Sequence, residues 1–327
     1  MNVARLLLAG SMALLGACSD SSTQAVKSVA VVAPMADTAP KAHAPKLALI
    51  MKSLTNPFFI EMETGARRAE REAGVELQVI ATSQETAVEQ QIQLVEDQIK
   101  RKVDAIIITP NDPQRLVPAL KRAQDAGIKV VNIDDRLNPE TVAASGMKPV
   151  PFISVDGEDA AYRAAKFAAA SIDQPSEVAI LEGVRSTENS AKRLRGAERA
   201  FKENAKLKLV ASETARWKID EGYEVAKRMF AAHPKIRVVS CANDLMAIGV
   251  MKYLAESGKT GVRVAGFDAL DEAKAAIRAG NMAVTVDQQS AQQGYQGVMT
   301  ALKSMRGETV ESIVRVEARL LTGDDLK

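Results

Sequence analysis

Leu47-Ala48-Leu49-Ile50-Met51 is an unbroken apolar run, and Ser53-Leu54-Thr55-Asn56-Pro57-Phe58-Phe59 follows it almost directly. Five apolar residues are too few for a buried helix but suit a strand buried on both faces. Asn56 is a natural N-cap and Pro57 a natural first-turn residue, so a helix is expected to start there. The unit is strand, loop, helix, and it recurs along the chain. Further apolar runs stand at Leu77-Ala81, Ala105-Ile108, Val130-Ile133, Phe152-Ser154, Val178-Leu181, Leu207-Ser212, Val238-Cys241, Val262-Phe267 and Ala283-Val286, with a further pair of strands expected near the C-terminus. Most are separated by helical patterns, several ending in glycine, as at Gly74 and Gly127. Alternating strands and helices of this kind build parallel sheets covered on both faces. Ten strands are too many for one ordinary open sheet, so the expected fold is α/β, with two doubly wound parallel-sheet lobes. The break between them is expected in Ser145–Phe152, where Gly146, Pro149 and Pro151 interrupt the alternation.

The residues before Lys46 have a different character. Met1 to Arg5 carries one positive charge and Leu6 to Leu15 carries none. A basic start, about ten apolar residues and small residues after them make a secretory signal that is too short to span a bilayer. Leu15-Gly16-Ala17-Cys18 resembles the lipobox of bacterial lipoproteins. That resemblance implies cleavage before Cys18 and acylation of its sulfur, with membrane contact through the lipid alone. Residues 19–45, rich in Ser, Ala, Thr and Pro, read as a flexible linker able to reach on the order of 30 Å.

Charge and composition narrow the function further. The 327 residues carry 43 basic and 41 acidic side chains, a balance that argues against a nucleic-acid surface. With Cys18 lipidated, Cys241 stands alone and no disulfide can form. The two histidines, His43 and His233, lie in the linker and in a turn, so a Ser-His-Asp or Cys-His hydrolase lacks its base. No phosphate-binding loop, zinc-protease or CxxC pattern occurs. No metal or cofactor is expected.

In doubly wound sheets, ligands sit beyond the carboxyl ends of the strands. The residues there are Asn56, Phe58 and Phe59, Thr109, Asp135 and Arg136, Trp217, Asn243, Asp268 and Gln288, with Arg193 at a helix start. Asn56-Pro57-Phe58-Phe59, Asp135-Arg136, Ala242-Asn243-Asp244-Leu245-Met246-Ala247 and Val264-Ala265-Gly266-Phe267-Asp268 resemble the ribose/galactose type of periplasmic sugar-binding proteins, which serve ABC importers and are related to the ligand-binding cores of lac-repressor-like regulators. The similarity runs from about Lys46 to the C-terminus. It implies the type I periplasmic-binding-protein fold with three crossing segments. The first lobe would comprise residues 46–152 and 288–316, and the second 153–287 and 317–327. It also implies a monomer in the periplasm that closes on a monosaccharide and delivers it to an inner-membrane ABC permease. On this resemblance Asn56, Phe58, Phe59, Thr109, Asp135 and Arg136 line one lobe, Arg193, Trp217, Asn243 and Asp268 the other, and Gln288 a crossover.

The chemistry suits a sugar. Ionised carboxylates accept hydroxyl protons in charge-assisted bonds, and Arg supplies a planar fork of donors. Trp217 and the phenylalanines offer flat faces to ring C–H groups. Thr109, where ribose binders of the family tend to carry Asn, and Trp217, where Phe is common, leave pentose and hexose both open. Two other readings share these residues. One is a sensory module that presents its closed form to a chemoreceptor or kinase. The other is an exported glycosidase using Asp135 and Asp268 as its carboxylate pair.

Overall fold

The computed structural model describes residues 44–327; the expected signal, Cys18 and nearly all of the linker lie outside them. The chain forms a six-stranded sheet from β1 (Lys46–Met51), β2 (Glu76–Ala81), β3 (Ala105–Ile108), β4 (Lys129–Ile133), β5 (Phe152–Ser154) and, from the far end of the sequence, β11 (Ile313–Arg315). The order is β11-β5-β4-β3-β1-β2 and every pairing is parallel. A second, four-stranded parallel sheet holds β6 (Ser176–Glu182), β7 (Leu207–Thr214), β8 (Ile236–Cys241) and β9 (Arg263–Ala265) in the order β7-β6-β8-β9. Between the two, β10 (Thr285–Asp287) pairs antiparallel with β12 (Arg319–Leu321).

The central strands are apolar on both sides because helices cover both faces. Ala105, Ile106, Ile107 and Ile108 of β3 are all fully buried. Helices α1 (Pro57–Ala73) and α10 (Ser290–Met305) cross on one face of the first sheet at a glycine contact. A Cβ on Gly65 would collide with the Ala291 carbonyl, and one on Gly294 with that of Met62. On the second sheet α5 (Gly157–Ala169) packs against α6 (Glu188–Lys202), and α7 (Ile219–Ala232) against α8 (Asp244–Glu256). One core cluster runs from Leu47 and Ile133 through Val286 and Val298 to Val178, Phe201 and Phe267, so both sheets share an apolar spine at the crossings.

The break differs from the sequence expectation. Pro149 and Pro151 do remove two backbone donors, yet the Pro151 carbonyl accepts from Asn132 and the Phe152 amide donates to Ser312. β5 therefore stays in the first sheet, and the chain crosses at Val155-Asp156. The other crossings lie between β10 and α10 and between β11 and β12. The C-terminal strands do not pair with each other: each joins a different sheet.

Candidate functional site

Twelve side chains enclose a small cavity between the carboxyl ends of the two sheets, where ligands sit in folds of this class. Lys52, Asn56, Phe58, Phe59, Glu85 and Asp134 come from the first sheet's side, Asn189, Arg193, Trp217, Asn243 and Asp268 from the second's, and Gln288 from the crossing after β10. Nine are buried, with Trp217 7% exposed and Arg193 6%, and Glu85, Asn189 and Asp268 are partly buried.

Asn56 both caps a helix and faces the cavity. Its Oδ1 accepts the Phe58 amide (3.1 Å), which frees Nδ2 to donate to Glu85 Oε1 (3.0 Å). Phe58 and Phe59 meet edge to face at 5.0 Å, joining the cavity wall to the core. Asn243 repeats the device on α8: Oδ1 accepts the Met246 amide (3.0 Å) while Nδ2 reaches the Trp217 carbonyl (3.4 Å). Gly183, just beyond β6, leaves room for Trp217; any Cβ there would overlap the indole ring.

Arg193 extends from α6 across the face of Phe267, 3.8 Å from the ring centroid. Its Nη1 donates to the Ala242 carbonyl (2.7 Å), and the same nitrogen lies 3.8 Å from Asp268 Oδ1. Gln288 Nε2 donates to that same Oδ1 (2.7 Å). Two buried polar atoms of these lining residues have no partner: Arg193 Nε and Gln288 Oε1. Such groups cost roughly 1–3 kcal/mol each unless something satisfies them.

The opposite wall is internally paired. Lys52 Nζ lies 3.4 Å from Asp134 Oδ2 and 3.2 Å from Asp135 Oδ2. Burial by itself would lower the Lys52 ammonium, but Asp135, Asp134 and Glu85 together outweigh burial and raise it. Burial pushes up the Glu85 and Asp135 carboxyls against the pull of Lys52, and pushes Asp268 well above the usual range against that of Arg193.

Backbone strain gathers here as well. Asp134 (φ 66°), Trp217 (φ 67°) and Asp268 (φ 121°) are non-glycine residues in left-handed conformations, and Arg216 and Ala269 beside them share it. Each costs of order 1–3 kcal/mol, and such outliers concentrate at functional sites.

Eight of the eleven residues expected from sequence line the cavity: Asn56, Phe58, Phe59, Arg193, Trp217, Asn243, Asp268 and Gln288. Three do not. Thr109 is fully buried behind the wall, where its hydroxyl accepts the Lys52 amide (3.0 Å) and fixes that residue's backbone. At the end of β4 it is Asp134 that faces the cavity, while Asp135 lies buried against Lys52 and Asn189. Arg136 turns away, with its guanidinium 5.8 Å from the Phe152 ring. The glycosidase pair of Asp135 and Asp268 is thereby lost, because only Asp268 reaches the cavity. Lys52, Glu85, Asp134 and Asn189 are the additions. Asn189 stands four residues before Arg193 and so on the same helix face, a spacing visible in the sequence. Cys241 is a buried strand residue whose thiol burial pushes up, fitting a packing role.

Among the described residues no helix is long and apolar enough to cross a membrane, and no group of histidine, cysteine or carboxylate side chains is placed to hold a metal. Residues 47–309 match the family model of the periplasmic binding protein domain. The chain is 36% identical over 285 residues to the D-ribose/D-allose-binding protein of Pseudomonas aeruginosa, covering 85% of this chain and 89% of that one. It is 33% identical over 257 residues to the D-allose-binding periplasmic protein of Escherichia coli, covering 78% and 83%. An ABC transporter periplasmic solute-binding protein of Actinobacillus succinogenes, solved with bound D-allose, superposes with a TM-score of 0.83 at 34% identity, covering 86% of this chain and 99% of that one. With a matching fold, a cavity between its sheets and relatives aligned over most of its length, this chain belongs to the periplasmic binding protein family.

Proposed function

We propose that this protein is the solute-binding component of an ABC importer for a monosaccharide, and that the sugar is an aldose of the D-allose or D-ribose kind. It is a binding protein and not an enzyme, as its relatives are. The observation that carries the reading is the pair of orphaned polar atoms, Arg193 Nε and Gln288 Oε1, in a closed polar cavity flanked by Trp217, Phe58 and Phe59. An aldose ring presents both a hydroxyl donor and oxygen acceptors around an apolar C–H face. Arg193 can donate to ring or hydroxyl oxygens, and Gln288, Asp268, Glu85 and Asp134 can accept hydroxyl protons. Trp217 supplies a flat surface. The names of the relatives support allose and ribose over other monosaccharides.

The two-lobed architecture supports a role in delivery. The lobes are 46–154 with 290–315, and 157–285, joined at three crossings that act as a hinge. Ligand contacting both lobes favours the closed form by its differential affinity, and an inner-membrane permease reads that form. The protein acts as a monomer in the periplasm, tethered through an acylated Cys18.

A thermal-shift screen of pentoses, hexoses and polyols tests this reading. Ligand at about 100 times its dissociation constant adds roughly 2.7 kcal/mol, a rise of several degrees for a protein of this size. D-Allose or D-ribose is expected to give the largest rise. No shift with any monosaccharide contradicts the reading.

A further inference from the structure

We infer that Asn189 is a positioning residue that holds the two lobes together and so sets how long the sugar stays bound. The inference rests on the sugar-binding reading and deepens it. Asn189 is the second residue of α6, on the second lobe, and it makes two hydrogen bonds to the first lobe. Its backbone amide donates to Asp135 Oδ1 (3.1 Å) and its Nδ2 to Asp134 Oδ1 (2.8 Å). Away from the crossings, no other hydrogen bond or ion pair among the described residues joins the two lobes directly.

The chemistry makes this contact strong and specific. The first backbone amides of a helix lack partners within it, and the helix dipole adds partial positive charge at the same end. Closure thus brings an unsatisfied, positively polarised helix start onto Asp135, a carboxylate with no solvent exposure that shares one ammonium with Asp134. Opening removes two charge-assisted bonds from that pair. The same contact shapes recognition. Asp134 lines the cavity, its Oδ1 is taken by Asn189, and its Oδ2 faces Lys52, so the orientation of the carboxylate offered to a sugar hydroxyl is fixed only when the lobes meet. Arg193, one helical turn further on, is carried into the cavity by the same movement.

The test measures sugar dissociation by stopped flow and the radius of gyration of the sugar-free protein by small-angle scattering, in wild type, Asn189→Ala and Asn189→Asp. Asn189→Ala removes one of the two bonds and is expected to speed dissociation on the order of tenfold, with association changed much less. Asn189→Asp sets a third carboxylate against the pair and is expected to have the larger effect. Both variants are expected to be more expanded than wild type without sugar. An unchanged sugar-free radius overturns the inference, because a residue that merely touches sugar does not alter the empty protein. An unchanged dissociation rate overturns it too. Failure of wild type itself to bind any monosaccharide defeats the functional reading, an outcome separate from both.

Discussion

The cavity wall built on the six-stranded sheet and the wall built on the four-stranded sheet with the hinge treat their charges differently. On the first, Lys52 sits between Asp134 and Asp135 at 3.4 and 3.2 Å, and Asn56 holds Glu85. Its groups are partnered before any ligand arrives. On the second, Arg193 lies 3.8 Å from Asp268, beyond hydrogen-bond range, and keeps Nε unpartnered, as Gln288 keeps Oε1. One wall is a preset frame of acceptors; the other holds unsatisfied donors and acceptors that only a third party can use. A binding protein benefits from the asymmetry. The paired wall keeps the open cleft from collapsing into an uncompensated charge cluster, and the unpaired one gains from ligand what it lacks without it.

The difference can be broken most severely at Lys52. Lys52→Met leaves two buried carboxylates without their cation and is expected to cost about 3–5 kcal/mol of stability, measured by urea denaturation without sugar. Stability unchanged in that variant means that the first wall is not held by this ion cluster.

A smaller effect is expected under the second wall. Burial pushes Asp244 up to about 6, against hydrogen bonds from the Leu270 amide and the Thr285 hydroxyl. The folded protein then holds this proton more tightly than the unfolded chain, where Asp titrates near 3.9. By linkage, the Asp244 contribution stabilises the fold increasingly as pH falls from about 6 towards 4, by roughly 3 kcal/mol at most, and the gain is absent above pH 7. Asp244→Asn is expected to remove this component from the difference in stability between pH 7 and pH 4.5. A difference identical to that of wild type contradicts the assignment.

The smallest effect belongs to Thr109. Thr109→Val deletes the acceptor for the Lys52 amide and is expected to cost about 1 kcal/mol of stability with sugar affinity within twofold of wild type. A tenfold loss of affinity instead returns Thr109 to the ligand-facing wall.

Much of this was legible in the sequence for a physical reason. Strands covered on both faces read as continuous apolar runs, so the ten strands from Lys46–Met51 to Thr285–Asp287 stand close to where the runs lie. Ligand groups follow strand ends, so Arg193, Trp217, Asn243, Asp268 and Gln288 could be found by position. What escaped depends on three-dimensional direction. Asp134 and Asp135 are neighbours, and only the left-handed turn at Asp134 decides which carboxylate enters the cavity. Lys52 reads as an ordinary lysine until its partners, more than 80 residues away in sequence, fold beneath it. Glu85 lies in the loop beyond the carboxyl end of β2, four residues past Ala81, and only the fold brings it against Asn56. The strands Ile313–Arg315 and Arg319–Leu321 are three residues each and largely unburied, too short and too wet to show a pattern.

The central claim, that Arg193 is the principal donor waiting for sugar, is tested most directly by calorimetric titration of wild type and Arg193→Lys with D-allose and D-ribose. Lysine keeps the charge but not the planar fork of donors. The account predicts one bound sugar per wild-type chain and an affinity about 100-fold weaker in the variant, near 2.7 kcal/mol, with the fold intact. Equal affinity in the two proteins contradicts it.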